Sequence, residues 1–181
     1  MERPSGFLKA VLVSCLLVTC ALVSWAMIPG DQIRVSPNLS FQVIDGREIK
    51  LSELRGAPVM VTFWATTCST CVKKIPELKS LYNKFQPLGM EIIAIAMSYD
   101  PPNRILSFSR DKALPYTVAL DLDGALARAF NEVDMTPSTF LIDSDGNVVF
   151  DKTGDFELET LEQKIVDLLN EQQNQAALAS S

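Results

Sequence analysis

The chain has 181 residues, of which 48% are apolar, and its formal net charge at pH 7 is −6. This length and apolar content allow one domain with a full core and leave little chain for a second. The acidic balance, with no Lys/Arg run longer than Lys73-Lys74, argues against a nucleic-acid-binding surface.

An uncharged apolar segment occupies residues 10–28. As a helix its 19 residues measure about 28 Å, close to the roughly 30 Å hydrocarbon core of a bilayer. Arg3 and Lys9 precede the segment and Asp31 follows it, so the positive-inside bias keeps the N-terminus in the cytoplasm. We therefore predict a membrane anchor or signal segment at residues 1–28, with the globular part in an extracytoplasmic space.

Two other interpretations of this segment stay open. Ser24-Trp25-Ala26 has small outer residues, which is compatible with the cleavage site of a removed signal peptide. Cys20 follows Leu17-Val18-Thr19 and faintly resembles a lipoprotein signal.

The elements of one domain follow a polar linker at residues 29–37. Two short alternating strands on either side of Asp45-Gly46 predict an opening β-hairpin. The run at residues 59–64 is almost continuously apolar, which is typical of a central strand covered on both faces. A helix to about Gln86, a strand at 90–97 and a further helix then predict parallel strands and the α/β class.

The second half of the domain continues with strands and helices separated by turn residues. Its predicted elements are a strand at 116–120, a helix at 124–131, a hairpin of strands at 138–143 and 147–151, and an amphipathic helix at 157–170. The domain is thus predicted at residues 38–171, followed by a flexible tail at 172–181.

Cys68-Ser69-Thr70-Cys71 lies where the strand at 59–64 gives way to a helix. The positive end of the helix dipole favours the thiolate of Cys68, which is therefore the candidate nucleophile. Cys71 lies one helical turn further along, close enough to attack a mixed disulfide on Cys68, and is the candidate resolving thiol.

Other uses of this motif have less support. A closed zinc site needs four Cys or His ligands, whereas the chain has no His, and Cys15 and Cys20 lie in the apolar N-terminal segment. A four-residue loop removes little entropy from the unfolded chain and makes a weak structural staple. We predict a redox pair, with no metal site and no cofactor.

Several further segments join this motif in resembling the thioredoxin superfamily. Within it, the chain is most similar to the membrane-tethered bacterial thiol-disulfide oxidoreductases typified by the cytochrome c maturation reductases. The matching segments are LSELRG at 51–56, FWA at 63–65, CSTC at 68–71, PEL at 76–78 and TPSTFLID at 136–143.

The resemblance implies a three-layer fold with a central mixed sheet flanked by helices, and a cis peptide bond before Pro137. It implies substrate binding by Trp64, Thr67, Thr136 and Pro137, beside catalytic Cys68 and Cys71, although Trp64 also fits a purely structural place in the core. It further implies disulfide-containing protein substrates, a membrane thiol donor, and tethering to the bacterial inner membrane.

Four positions depart from the family pattern. Thr67 replaces the usual aromatic residue, and Ser69-Thr70 lacks the proline common in this branch. Lys74 stands where some relatives carry a glutamate, and Thr62 where thioredoxin has a buried aspartate. Lys74 is therefore a candidate modulating residue, although a solvated helix face is its more ordinary interpretation. The proton acceptor for Cys71 stays open between water, an acid elsewhere in the chain, and help from a lysine.

The predicted function is reduction of protein disulfides outside the cytoplasm, and two alternatives stay open. A thiol peroxidase of the peroxiredoxin type shares the fold, but Ala65 occupies the position of the peroxiredoxin threonine. A Cu(I)-delivery protein would use the two thiolates as ligands, but the related chaperones add a histidine that this chain lacks.

Overall fold

The structure is a computed structural model that describes residues 34–179. Its strands are β1 (Ser40–Val43), β2 (Glu48–Lys50), β3 (Val59–Trp64), β4 (Glu91–Ala96), β5 (Thr117–Leu120), β6 (Ser138–Ile142) and β7 (Val148–Thr153). Its α-helices are α1 (Ser69–Phe85), α2 (Pro102–Asp111), α3 (Ala125–Ala129) and α4 (Leu158–Ala179).

The strands form one sheet in the order β2-β1-β5-β4-β3-β6-β7. The three neighbours β3, β4 and β5 are parallel, and the other pairings are antiparallel. The sheet is therefore mixed, and helices cover both of its faces. The predicted α/β class and mixed sheet are confirmed.

Strand β3 lies in the interior of the sheet, between β4 and β6, and all six of its residues are buried. Because side chains alternate along a strand, Met60 and Trp64 join the core cluster that includes residues of α1 and α4. Val61 and Phe63 join the opposite cluster, which includes residues of α3. Packing on both faces fixes the carboxyl end of β3, where the chain turns toward the cysteines.

The last helix extends further than the sequence predicted. Helix α4 continues to Ala179, whereas its apolar stripe predicted an end near Asn170. This prediction was wrong because residues 171–179 contain neither Gly nor Pro, and Gln, Ala and Leu favour the helix even without an apolar face to bury. The side-chain amide of Gln172 also donates to the carbonyl oxygen of Gly56.

No helix within residues 34–179 combines the length and apolarity needed to cross a membrane. The segment predicted as an anchor, residues 1–28, lies outside this range.

Candidate active site

Cys68 and Cys71 form a disulfide at the start of α1, with their Cα atoms 5.3 Å apart. Cys68 is the N-cap residue, and its Sγ accepts a hydrogen bond from the backbone N–H of Cys71 at 3.1 Å. Cys71 is only 5% exposed, whereas Cys68 is partly exposed. The predicted strand-to-helix turn is confirmed, and Cys68 is the more accessible sulfur.

A cavity of about 20 Å³ borders Cys71. Its wall includes residues from β3, α1, β4 and the loop between β7 and α4. The lining residues that matter for the chemistry are Trp64, Lys74, Asp155 and Phe156 from these elements, together with Tyr116 just before β5 and Pro137 just before β6. The sequence singled out five of the lining residues, namely Thr62, Trp64, Cys71, Lys74 and Pro137. It did not single out Tyr116, Asp155 or Phe156.

Lys74 is largely buried, with only 13% of its side chain exposed. Its ammonium lies 3.0 Å from a Glu77 carboxylate oxygen and 2.9 Å from Asp155 Oδ1. It also donates to the carbonyl oxygen of Phe156 at 2.7 Å and lies 4.8 Å from the centre of that ring. The interpretation of Lys74 as part of a solvated helix face was wrong, because the loop after β7 covers it.

The charges of Lys74 and Asp155 stabilise each other. Burial alone lowers the pKa of Lys74, but the hydrogen bonds to Asp155 and Glu77 outweigh it, and the net pKa is raised. The hydrogen bond from Lys74 holds the pKa of Asp155 below its usual value, with help from the Phe156 backbone N–H. Both groups are therefore charged at neutral pH.

Thr62 and Trp64 complete the buried side of the site. The hydroxyls of Thr62 and Thr139 hydrogen-bond across β3 and β6 at 3.1 Å, so a neutral pair occupies the position of the thioredoxin aspartate. Trp64 is 5% exposed and packs on Phe108, with ring centres 5.5 Å apart. Its position is that of a core residue behind Cys71.

The remaining predicted site residues lie in two loops. Thr67 is exposed and immediately precedes Cys68, whereas Thr136 is partly buried and precedes the buried Pro137. The bond between Thr136 and Pro137 is cis, as the resemblance implied. Within residues 34–179, neither the N–H nor the C=O of Thr136 has a backbone hydrogen-bond partner.

Sequence reasoning missed Asp100 and Asp155. Asp100 follows β4, the parallel neighbour of β3, and polar residues at the carboxyl ends of adjacent parallel strands meet at one edge of a sheet. That rule is a signal that identifies Asp100 as a candidate. Asp155 lies in a loop far along the chain from Cys71, and no local spacing connects the two.

Comparison with known proteins identifies the family. The family model described as Redoxin matches residues 30–168. The chain belongs to the redoxin family. The relatives of this redoxin include the thiol-disulfide oxidoreductase ResA of Bacillus thuringiensis, which is 31% identical over 71% of this chain and 73% of its own length.

Solved structures similar to this redoxin have the same fold. A thioredoxin-like protein of Neisseria meningitidis has a TM-score of 0.71 and 25% identity, covering 76% of this chain and 91% of its own. A DsbE-type thiol:disulfide interchange protein of Chlorobium tepidum has a TM-score of 0.68 and 27% identity, covering 77% of this chain and 98% of its own. The predicted thioredoxin superfamily, its ResA-like branch and the enzyme class, a thiol-disulfide oxidoreductase, are confirmed.

Proposed function

We propose that this redoxin reduces disulfide bonds of protein substrates outside the cytoplasm. The observation that carries the proposal is the unequal burial of the two sulfurs, because Cys68 is partly exposed while Cys71 is 5% exposed behind it. A substrate sulfur can approach Cys68 from solvent, whereas Cys71 is almost completely shielded from solvent. This arrangement separates an attacking thiol from a resolving thiol.

The reaction transfers two electrons from the dithiol to the substrate disulfide. The thiolate of Cys68, favoured by the start of α1, attacks one substrate sulfur, and the other substrate sulfur leaves as a thiolate. Cys71 then loses its proton and attacks Cys68 Sγ. The bond between Cys68 and the substrate breaks, the second substrate thiolate leaves, and the Cys68–Cys71 disulfide remains.

Two loops supply the surface on which a substrate segment would lie. Thr67 is exposed beside Cys68, and the unpaired backbone groups of Thr136 offer hydrogen bonds to an extended segment. Pro137 and Trp64 are buried and line the cavity beside Cys71, so they form part of the buried wall of the site. The same backbone recognition suits many protein sequences, since it reads main-chain groups.

The charge balance at Lys74 favours the reducing direction. A lone cation near the sulfurs stabilises thiolate and makes the couple more oxidising. Here Glu77 and Asp155 pair with Lys74 and offset its charge. A disulfide that is not destabilised in this way has a lower potential, as a reductase requires.

The N-terminal segment suggests where the enzyme works. We assign residues 1–28 as a membrane anchor and 29–37 as a linker to the domain at 38–171, with 172–181 as a C-terminal extension of it. A reductase outside the cytoplasm needs electrons carried across the membrane, and a tether keeps the domain close to a membrane thiol donor. The resemblance to cytochrome c maturation reductases supports the proposal that this role is carried out at the bacterial inner membrane.

A redox titration of the full chain against glutathione tests the direction. We expect a midpoint nearer the roughly −270 mV of thioredoxin than the roughly −120 mV of a strong oxidant. A midpoint above about −180 mV contradicts the reductase assignment. The Cys71→Ser variant is the control, because it lacks the Cys68/Cys71 couple but keeps Cys15 and Cys20, so any titration that remains belongs to other thiols.

A further inference from the structure

Asp155 supplies the one carboxylate among the described residues that line the cavity beside Cys71. Cys71 must lose its thiol proton before it attacks Cys68, yet it is only 5% exposed. The chain has no His, and the positions of the family acids are occupied by Lys74 and Thr62. If a side chain accepts this proton, it must therefore come from another part of the fold.

We infer that Asp155 accepts the proton of the Cys71 thiol, through one water molecule in this cavity, when Cys71 resolves the mixed disulfide on Cys68. The inference rests on the proposed function and names the acid–base group of the same site. The cavity of about 20 Å³ is large enough for one water molecule.

The hydrogen bonds of Asp155 leave one of its oxygens free for this role. Oδ1 accepts from the Lys74 ammonium and from the Phe156 backbone N–H, both at 2.9 Å. Oδ2 has no hydrogen-bond partner among residues 34–179. The two bonds to Oδ1 fix the carboxylate, and the lone pairs of Oδ2 remain available for a proton.

The exposure of Asp155 provides a route for the proton to solvent. Its side chain is 70% exposed, and it lines both the cavity beside Cys71 and an outer groove of about 450 Å³. Lys152 of β7 and Glu157 of the following loop line the same groove. A proton taken up on the inner side can leave on the outer side.

The other polar groups of the cavity are unsuited to accept a proton. The Lys74 ammonium has no lone pair, and its raised pKa keeps it charged. Burial raises the pKa of Tyr116 far above neutral, so its phenol stays protonated. The Thr62 hydroxyl is already bonded to Thr139 and is a very weak base.

The charges that face Asp155 keep its carboxylate ionised. Lys74 from α1 lowers the pKa of Asp155. Glu77 also forms an ion pair with the Lys74 ammonium. Lys152 and Glu157 line the outer groove. The carboxylate is therefore ionised at neutral pH. It is still a much stronger base than water, so it can relay the thiol proton to solvent faster than water alone.

The step balances without any further reactant. The Cys71 S–H proton passes through the water to Asp155 Oδ2, and the Cys71 thiolate attacks Cys68 Sγ. The Cys71–Cys68 bond forms as the bond from Cys68 to the substrate sulfur breaks, and the substrate leaves with the electron pair as a thiolate. Asp155 then releases its proton to solvent, where the substrate thiolate can take up a proton.

Release of a coloured thiolate can follow the two steps separately. The reduced full chain, with Cys15→Ser and Cys20→Ser present in every protein compared, is mixed with one equivalent of dithiobis(nitrobenzoate). The reagent gives one coloured thiolate when Cys68 attacks and a second when Cys71 resolves. We expect Asp155→Asn to slow the second release at least about tenfold at pH 7, and to change the first less than about twofold. Asp155→Glu should restore the second release.

The matched control is Glu77→Gln, which removes the same charge and another ion pair of Lys74 at a residue that does not line the cavity. The rate of the second release in this control should stay within about threefold of the rate in the unmodified protein. The pH profile gives an independent readout. In Asp155→Asn the rate of the second release should rise about tenfold per pH unit between pH 5 and 7. In the unmodified protein this rate should vary far less over the same interval.

The following results would overturn the assignment of Asp155 as the proton acceptor or the proposed function itself. An unchanged second release in Asp155→Asn, or equal slowing in Glu77→Gln, overturns the inference. Should Asp155→Asn fail to fold, as judged by loss of the first release, Asp155→Ser replaces it under the same criteria. If the unmodified protein itself shows no two-step release, the proposed function fails instead, so the two failures are distinguishable.

Discussion

The carboxylate of Asp100 accepts two hydrogen bonds from Thr66, one from its backbone N–H at 2.5 Å and one from its hydroxyl at 2.9 Å. Asp100 is 4% exposed and lies in the loop after β4, whereas Thr66 lies two residues before Cys68. The cysteine turn is therefore held to the neighbouring strand by a buried carboxylate. Asp100 acts on the site as a positioning residue.

Replacing Asp100 with Ala should lower the free energy of unfolding by about 2–3 kcal/mol, because it leaves the Thr66 N–H buried without its charged acceptor. Asp100→Asn keeps an acceptor oxygen and should cost about half as much. Urea denaturation measures both values. Asp111→Ala is the control, since Asp111 is exposed at the end of α2 and its loss should change stability by less than about 0.5 kcal/mol. Equal stability of Asp100→Ala and Asp111→Ala would show that the Asp100 contact is not a significant anchor.

Single cysteine variants should separate the roles of the two sulfurs. Cys71→Ser should accumulate mixed disulfides with partner proteins, because Cys68 can still attack but nothing resolves the product. Cys68→Ser should trap far less, since Cys71 is only 5% exposed and Cys15 and Cys20 are present in both variants. Acid quenching followed by non-reducing electrophoresis measures the trapped species. Equal trapping by the two variants would reverse or remove the assignment.

The sequence predicted those parts of the molecule that depend on local pattern. Strand β3 has the predicted limits of residues 59–64, because an uninterrupted apolar run is compatible with little else beside a helix start. The cysteine turn was predicted for the same reason. The neighbourhood of Lys74 was not, because it depends on how the loop after β7 folds over α1. Asp155 reaches the cavity through that loop, and neither periodicity nor residue spacing encodes such a long-range contact.

Glu91 provides a test of pH-dependent stability away from the cysteines. It is the partly buried first residue of β4, and burial raises its pKa above the usual value. A raised folded-state pKa means that its contribution to stability is fully present below the unfolded pKa and is lost as the pH rises through the folded pKa. Glu91→Gln removes this loss, so its stability relative to the unmodified protein should increase between pH 4 and pH 7.

Urea denaturation at the two pH values measures this difference, with Glu48→Gln as the exposed control on β2. The difference in free energy of unfolding between Glu48→Gln and the unmodified protein should be nearly constant over the same interval. A Glu91→Gln difference that shrinks as the pH rises would show that the ionised carboxylate is stabilised in the folded protein.

Lys74 should tune the potential of the Cys68/Cys71 couple through its charge. It lines the cavity beside Cys71, so its ammonium stabilises a thiolate in the reduced state, although Glu77 and Asp155 offset part of its field. Lys74→Met removes the positive charge and leaves both carboxylates in place. Both effects disfavour the thiolate and therefore the reduced form.

The midpoint of Lys74→Met should accordingly be more negative by roughly 10 to 30 mV, where about 30 mV corresponds to a tenfold change in the equilibrium constant. Lys73→Met is the matched control, because the neighbouring Lys73 is exposed and does not line the cavity, so its midpoint should shift by less than about 5 mV. Titration of the three proteins against glutathione gives the comparison. A positive shift in Lys74→Met, or equal shifts in the two variants, would mean that Lys74 acts on the structure of the loop after β7 and not on the charge of the sulfurs.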